Sequence, residues 1–152
     1  MIKKTAFRLF FLAIILIAAC KSQQQQPFGR DTNLENKRWV LRELNNKTIS
    51  HKEDEKESFI LFDNKDNTFG GSGNCNSING MYTVQEEMIN IHSMASTEMA
   101  CPTLNIETEF FQTLSKVNRY ELKKKREGNT DKESLILFID KVTVAKFDAG
   151  NK

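Results

Sequence analysis

The chain has 152 residues, of which 28% are charged and 39% hydrophobic, and this length allows one domain with a modest core. Its formal net charge is +2, but three basic residues lie in an N-terminal segment expected to be removed, which leaves a balance of about −1. This balance argues against a general nucleic-acid binder, which needs a basic face.

Residues 1–19 have the three parts of an export signal. Lys3, Lys4 and Arg8 form a positive start, residues 9–17 are an unbroken apolar run, and two alanines precede Cys20. The run is too short for a membrane-spanning helix, which needs about 20 apolar residues. The end of the segment resembles a bacterial lipobox and therefore predicts a lipoprotein signal peptide with lipidation at Cys20. The alternative is an ordinary cleaved signal followed by a chance cysteine.

Residues 20–33 are predicted to form a flexible tether. They include the glutamine run 23–26, Pro27 and Gly29, and offer almost nothing apolar to bury. Lys21 stands where an aspartate would retain an enteric lipoprotein in the inner membrane. By analogy we expect a cell-envelope protein that is lipid-anchored at the outer membrane and faces the periplasm.

Residues 34–152 are expected to form the domain. Apolar or alternating segments predict strands at 38–44, 48–50, 58–62, 68–69, 81–85, 88–92, 120–125, 135–139 and 142–147. Trp39 and Leu41 share one face of the first strand. The inward face of the sheet is expected to be filled by five apolar side chains, those of Phe59, Leu61, Ile89, Ile91 and Leu137.

One helix is predicted over residues 106–118. Ile106, Phe110, Leu114 and Val117 recur at helical spacing, and Phe110 and Leu114 should pack on the sheet. Glu107 is expected on the outer face of this helix, in its first turn. Many short strands with one helix predict an α+β fold: a small curved antiparallel β-sheet or barrel-like structure with one packed α-helix.

Residues 70–80 concentrate four of the seven glycines around Cys75. Glycine permits positive φ and close backbone approach, so this stretch predicts sharp turns or bulges. A phosphate cradle is disfavoured, because the stretch lacks the Lys-Ser/Thr of a P-loop and opens no recognisable helix.

Cys75, Cys101 and His92 leave several chemistries open. Export to an oxidising compartment favours a disulfide between Cys75 and Cys101, since lipid would consume Cys20 and leave an even pair. Free structural thiols are an alternative. A tetrahedral metal site is a further alternative, but it requires a fourth ligand. A cysteine nucleophile would require His92 within hydrogen-bond distance.

Three charged stretches are interpreted as solvated surface. Residues 63–67 are read as a hairpin turn and not as a calcium loop, because Lys65 occupies a ligand position. The basic run 123–126 and the acidic run 53–57 could mark a partner or lipid surface. Solvated strand ends, with charges that block edge-to-edge pairing, are the favoured interpretation.

The chain resembles the META domain family, the HslJ-like group of bacterial envelope proteins. The resemblance is carried by Trp39, FGGSGNCN at 69–76, GMY at 80–82, STEMAC at 96–101 and EFF at 109–111. Asn74 stands where the family commonly has another glycine nearby. The resemblance implies a compact antiparallel β structure with one helix, often lipidated and linked to heat or envelope stress. The family has no established catalytic residues to carry over.

The leading functional hypothesis is a lipid-anchored, non-catalytic binding or structural protein in envelope stress tolerance. The alternative is a periplasmic small-ligand- or peptide-binding protein of inhibitor-like type, and an enzyme comes third. No catalytic residue, metal or cofactor is predicted. The expected partners are the membrane, through the anchor, and an envelope protein or small ligand, with no nucleic acid. A filled sheet interior would favour surface interaction, whereas an open polar cavity with His92 would favour ligand binding or catalysis.

Overall fold

The computed structural model describes residues 34–50, 56–100, 105–128 and 130–150. The predicted signal peptide (1–19), the lipidation site Cys20, the tether (20–33) and Cys101 lie outside the described residues. Within those ranges, no helix has the length and apolar character needed to cross a bilayer.

The described residues form nine strands and one helix. These are β1 (Arg38–Leu44), β2 (Lys47–Thr48), β3 (Phe59–Asp63), β4 (Thr68–Ser72), β5 (Ser77–Gln85), β6 (Met88–Ser96), α1 (Asn105–Leu114), β7 (Arg119–Glu127), β8 (Thr130–Ile139) and β9 (Val142–Ala149). All pairings are antiparallel. The prediction of a mostly antiparallel sheet with a single helix is confirmed.

Strand order in the sheet is β2-β1-β3-β4-β5-β6-β7-β8-β9, and β1 also pairs with β9. The first long strand therefore lies next to the last. Contact between β6 and β7 is different from the others, because only Met88 and Arg119 are paired there. Beyond this pair, β6 has a long edge without a second partner strand among the described residues.

The core lies between the inward face of the sheet and α1. Its largest fully buried side chains include Trp39, Phe62, Tyr82, Phe110 and Phe147. The Phe62 and Tyr82 rings meet edge to face at 4.9 Å, and Phe110 packs 6.0 Å from Phe147. The predicted inward positions of Ile89, Ile91, Leu137 and Leu114 are also confirmed.

The predicted inward positions of Phe59 and Leu61 are wrong. Alternation along β3 places Ile60 and Phe62 inside, so Leu61 faces outward and is 37% exposed. Phe59 lies on the same outer face, where the Arg38 guanidinium stacks 4.2 Å from its ring. A strand that is apolar on both faces does not reveal which set is inward.

The β1–β2 turn fastens the helix to the sheet. Asn45 and Asn46 both have positive φ (47° and 64°), as a two-residue hairpin turn requires. The Asn45 amide donates to Glu109 Oε1 at 2.9 Å, and Lys47 Nζ lies 3.0 Å from Oε2. These hydrogen bonds, Asn45's first, lower the pKa of Glu109 below its ordinary value.

The helix ends at Leu114 and not at residue 118 as predicted. Lys116 N and Val117 N donate to the carbonyls of Thr113 and Leu114, which closes a tight turn. Asn118 N then donates to Phe138 O and joins the chain to the sheet. Val117 is nevertheless buried. The helical spacing of apolar residues therefore extends beyond the last residue of the helix, which explains why the predicted helix was too long.

The chain enters the domain through a buried segment. Leu34 and Glu35 are both almost fully buried. The Trp39 indole donates to Leu34 O at 2.7 Å, and the Tyr82 hydroxyl donates to Glu35 Oε1 at 2.7 Å. These bonds join residues 34–35 to the packed body of the protein.

Candidate functional site

The glycine-rich stretch is a strand–turn–strand unit. Gly70 and Gly71 lie in β4 and Gly80 lies in β5, with residues 73–76 as the connection. None of these glycines has positive φ, in contrast to Gly128. Small size is the reason for glycine at position 71, because a Cβ there would stand 2.3 Å from Phe59 O. A phosphate cradle at a helix start is not what this stretch forms.

Asn74 carries the positive φ of the turn, at 97°. This angle favours glycine, the residue type that the family commonly has nearby. We expect Asn74→Gly to raise the free energy of unfolding by about 0.5–1 kcal/mol, as measured by urea denaturation. Asn79→Gly, in the middle of β5, should instead lower it by about 0.5–1 kcal/mol. A loss of stability in both variants would contradict strain at position 74.

Glu107 accepts hydrogen bonds from this turn, and its predicted outward position is wrong. The side chain is only 4% exposed. Oε2 accepts from the main-chain N–H groups of Cys75 (3.1 Å) and Asn76 (2.6 Å), and Oε1 accepts from Asn76 Nδ2 at 2.6 Å. The carboxylate thus satisfies three donors of the connection between β4 and β5.

Helical spacing explains this position. Phe110 and Leu114 follow Glu107 by three and seven residues, so all three lie on the face that packs on the sheet. Ile106 takes the outer position and is 48% exposed. Gly73 makes room for the carboxylate, since a Cβ there would stand 2.4 Å from Glu107 Cγ.

Asn76 extends the network to the end of β6. Its Oδ1 accepts from Thr97 Oγ1 at 2.9 Å and from Met99 N at 2.7 Å. Thr97 Oγ1 in turn accepts from Ser77 N at 3.1 Å. Two carboxylate oxygens and one buried amide therefore hold the β4–β5 turn, α1 and residues 97–99 together.

Cys75 lies in this turn and is disulfide-bonded. Its sulfur partner is outside the described residues, so the pairing with Cys101 stays a prediction. A Cys75–Cys101 bond would close a loop of 27 residues, counted inclusively. It would covalently join two segments that Asn76 and Glu107 already connect.

Reduction of this bond should lower the free energy of unfolding by about 3–4 kcal/mol, from the entropy of a loop of that length. Peptide mapping under non-reducing conditions should recover a Cys75–Cys101 crosslinked peptide, and reductant should lower the melting temperature. Two freely alkylatable thiols in the native protein, with no change in melting temperature on reduction, would contradict the disulfide and favour free structural thiols.

His92 does not join a catalytic or metal cluster in the described residues. It lies half-buried on the outer face of β6, and its Nδ1 is 3.2 Å from Ser93 Oγ. The described ranges contain no group of three His, Cys, Asp or Glu side chains arranged for a metal ion. The alternatives that combined His92 with Cys75 gain no support from this geometry.

The basic run and the acidic run each form ion pairs with neighbouring strands. The β7–β8 ribbon carries Lys124–Glu133, Arg126–Asp131 and Lys132–Glu127 ion pairs. A hydrogen bond from Lys37 is the main reason why the pKa of Glu133 is lowered. In the acidic run 53–57, Glu57 pairs with Arg38, while residues 53–55 lie outside the described ranges.

The turn at 63–67 is the hairpin between β3 and β4, as predicted. Lys65 N donates to Asp63 Oδ1, and Asn67 has a φ of 56°. Asp63 therefore caps its own turn, as aspartate commonly does at such positions.

A surface cleft opens beside the network. Its volume is about 420 Å³, and it lies between residues 96–100 on one side and Thr108, Phe111 and Gln112 of α1 on the other. Asn76 and Glu107 form its floor. This volume is in the range of ligand pockets, about 300–1,000 Å³. No feature of the sequence indicated the cleft itself. Glu107, an acidic residue on the apolar face of the helix, was the one signal for the residues that form its floor.

Comparisons with known proteins agree with this fold. The family model "META domain" matches residues 32–149. An NMR structure of a protein from Burkholderia xenovorans superposes with a TM-score of 0.62 at 17% identity, covering 79% of this chain and 86% of that one. Another NMR structure gives 0.52 at 20% identity, covering 76% and 91%. At these identities the two structures establish the fold alone. No curated protein matches the sequence.

Proposed function

Because the chain belongs to the META domain family, we propose that it is a lipid-anchored, non-catalytic binding module of a bacterial cell envelope. In this proposal Cys20 carries the lipid and residues 20–33 form a tether. The domain from residue 34 onward then faces the periplasm from the outer membrane. The stress tolerance that the resemblance implies would follow from what the module binds.

The main observation in support of binding at the surface is that the interior of the sheet is filled with side chains. Trp39, Phe62, Tyr82, Phe110 and Phe147 are fully buried and occupy the space where a ligand within the sheet would lie. Among the described residues, the cleft beside α1 is on the surface instead. This arrangement supports contact with a partner at the surface over a small molecule enclosed by the sheet.

Cys20→Ala tests the anchoring. We expect the parent protein to sediment with membranes and to partition into detergent, because two or more acyl chains give stable anchoring. The Cys20→Ala variant should appear as a soluble or unprocessed species in the same fractionation. Mass spectrometry of the parent should find acyl chains on the mature N-terminus.

Cys75→Ser is the control for loss of a cysteine within the domain. It removes the disulfide and so should be less stable, but it leaves Cys20 in place and should stay with the membrane. If Cys20→Ala stays with the membrane to the same extent as the parent protein, the anchor is not at Cys20.

A further inference from the structure

Residues 96–100 present one side of their main chain to the cleft. Thr97 N donates to Ser77 O at 3.1 Å, and Met99 N donates to Asn76 Oδ1 at 2.7 Å. Both groups point toward β5. In an extended chain successive residues alternate in direction, which would turn the main-chain groups of Ser96, Glu98 and Ala100 the other way, to the side of the cleft that these residues line.

This edge continues the side of β6 that lacks a second strand. The only β6–β7 pair is Met88–Arg119, at the opposite end of β6. Ser93, with a φ of 53°, interrupts the edge, and the portion after it leads directly into the cleft. The network beneath holds Thr97 and Met99 in place, so the edge is organised before anything binds.

The free edge of β7 provides a contrast. It carries Lys123, Lys125 and Glu127, charges that discourage pairing with another strand. Along residues 88–100 the only Asp, Glu, Lys or Arg is Glu98. The edge at the cleft therefore carries a single charged residue, whereas the edge of β7 carries several.

The walls of the cleft set the chemistry of an occupant. Phe111 is half-buried and Met99 is 60% exposed, so apolar side chains have partners there. The described lining includes the carboxylates of Glu98 and Glu107 and no Lys or Arg. Three N–H donors already occupy the Glu107 carboxylate, which leaves the Glu98 carboxylate to attract a cation.

We propose that the cleft binds an extended peptide segment of another protein by β-strand addition, with its main chain paired to Ser96, Glu98 and Ala100 and a basic side chain beside Glu98. Strand addition obtains affinity from main-chain hydrogen bonds and specificity from pockets for alternate side chains. This inference names the partner class of the binding module proposed above and rests on that role.

The test begins with a displayed library of random seven-residue linear peptides, selected on the full chain in detergent micelles. We expect enrichment of peptides with a Lys or Arg flanked by alternating apolar residues. N-methylation of the amides on one side of the bound peptide should weaken binding about tenfold or more, whereas methylation of the intervening amides should not. Failure to enrich any peptide, or equal effects at all amides, would overturn strand addition.

Two substitutions at one position locate the site. Glu98→Pro removes the N–H directed at the cleft and should weaken binding of the selected peptide about tenfold or more. Glu98→Ala keeps the main chain and should reduce affinity less than about fivefold, through the lost charge alone. Equal affinity for the parent and Glu98→Pro would place the peptide elsewhere.

The parent protein could instead self-associate, with the association lost in Glu98→Pro. This result would show that a second copy of the chain occupies the edge, and it would overturn the proposal of a different protein as partner. A negative peptide selection leaves the fractionation of Cys20→Ala unchanged. Failure of this inference is therefore distinguishable from failure of the proposed anchoring.

Discussion

Glu107→Ala is expected to lower the free energy of unfolding by about 3–5 kcal/mol, because it removes the acceptor of three hydrogen bonds in a buried site. The N–H groups of Cys75 and Asn76 and the Asn76 amide would be left without this carboxylate. Urea denaturation monitored by circular dichroism or by the fluorescence of Trp39 measures the loss.

Glu107→Gln should cost less, about 1–3 kcal/mol, although it preserves shape. A glutamine oxygen can replace Oε2, but its NH2 group would then face Asn76 Nδ2. Rotation of the Asn76 amide would not help, because its NH2 group would then face the N–H of Met99. Every orientation of the two amides thus leaves one donor opposite another donor.

Gln112→Ala is the matched control on the same helix. Gln112 is exposed, so its replacement should change stability by less than about 0.5 kcal/mol. Stabilities of Glu107→Ala and Gln112→Ala that both match the parent would show that the carboxylate does not hold the turn.

Phe110→Ala is expected to cost about 3–5 kcal/mol, the range for removal of a fully buried phenylalanine. The ring packs 6.0 Å from Phe147 and 5.8 Å from Phe111, so truncation would leave a cavity between α1 and the sheet. Thermal and urea unfolding of the purified variant measure the effect.

Ile106→Ala tests the same helix on its outer side. Ile106 is half exposed, so its truncation should cost well below 1 kcal/mol. Small and similar losses for Phe110→Ala and Ile106→Ala would mean that α1 is not docked on the sheet.

Much of the fold could be predicted from local patterns. Alternating or continuous apolar segments predicted part of each long strand, and the gap between the predicted strands 135–139 and 142–147 left only Asp140 and Lys141 for the hairpin between β8 and β9. Asp140 indeed has a φ of 56°, and its N–H donates to Asn118 Oδ1. These features depend on neighbouring residues, which a single sequence displays directly.

Which face of a strand is inward was harder to predict. Phe59 and Leu61 alternate with Ile60 and Phe62, and either set could fill a core. The choice depends on how β3 pairs with β1 and β4, which is a property of the whole sheet. The Arg38 guanidinium covers the outer side of the Phe59 ring. The pattern of apolar residues along β3 does not predict this contact.

The candidate site was the least predictable part. Glu107 shares a helix face with Phe110 and Leu114, and an acid on that face is a signal for a buried role. Two of its three donors are main-chain groups 31 and 32 residues earlier in the chain, which have no sequence signature. The cleft depends further on the single pair that joins β6 to β7.

Site-specific photocrosslinking in intact envelopes tests the binding role most directly. A benzoylphenylalanine in place of Gln112, on the α1 wall of the cleft, should form an adduct with a discrete envelope protein, identified by mass spectrometry. The same group in place of Asp66, exposed in the β3–β4 turn, should not form it. No adduct from position 112, or the same adducts from both positions, would contradict a binding module that works through this cleft.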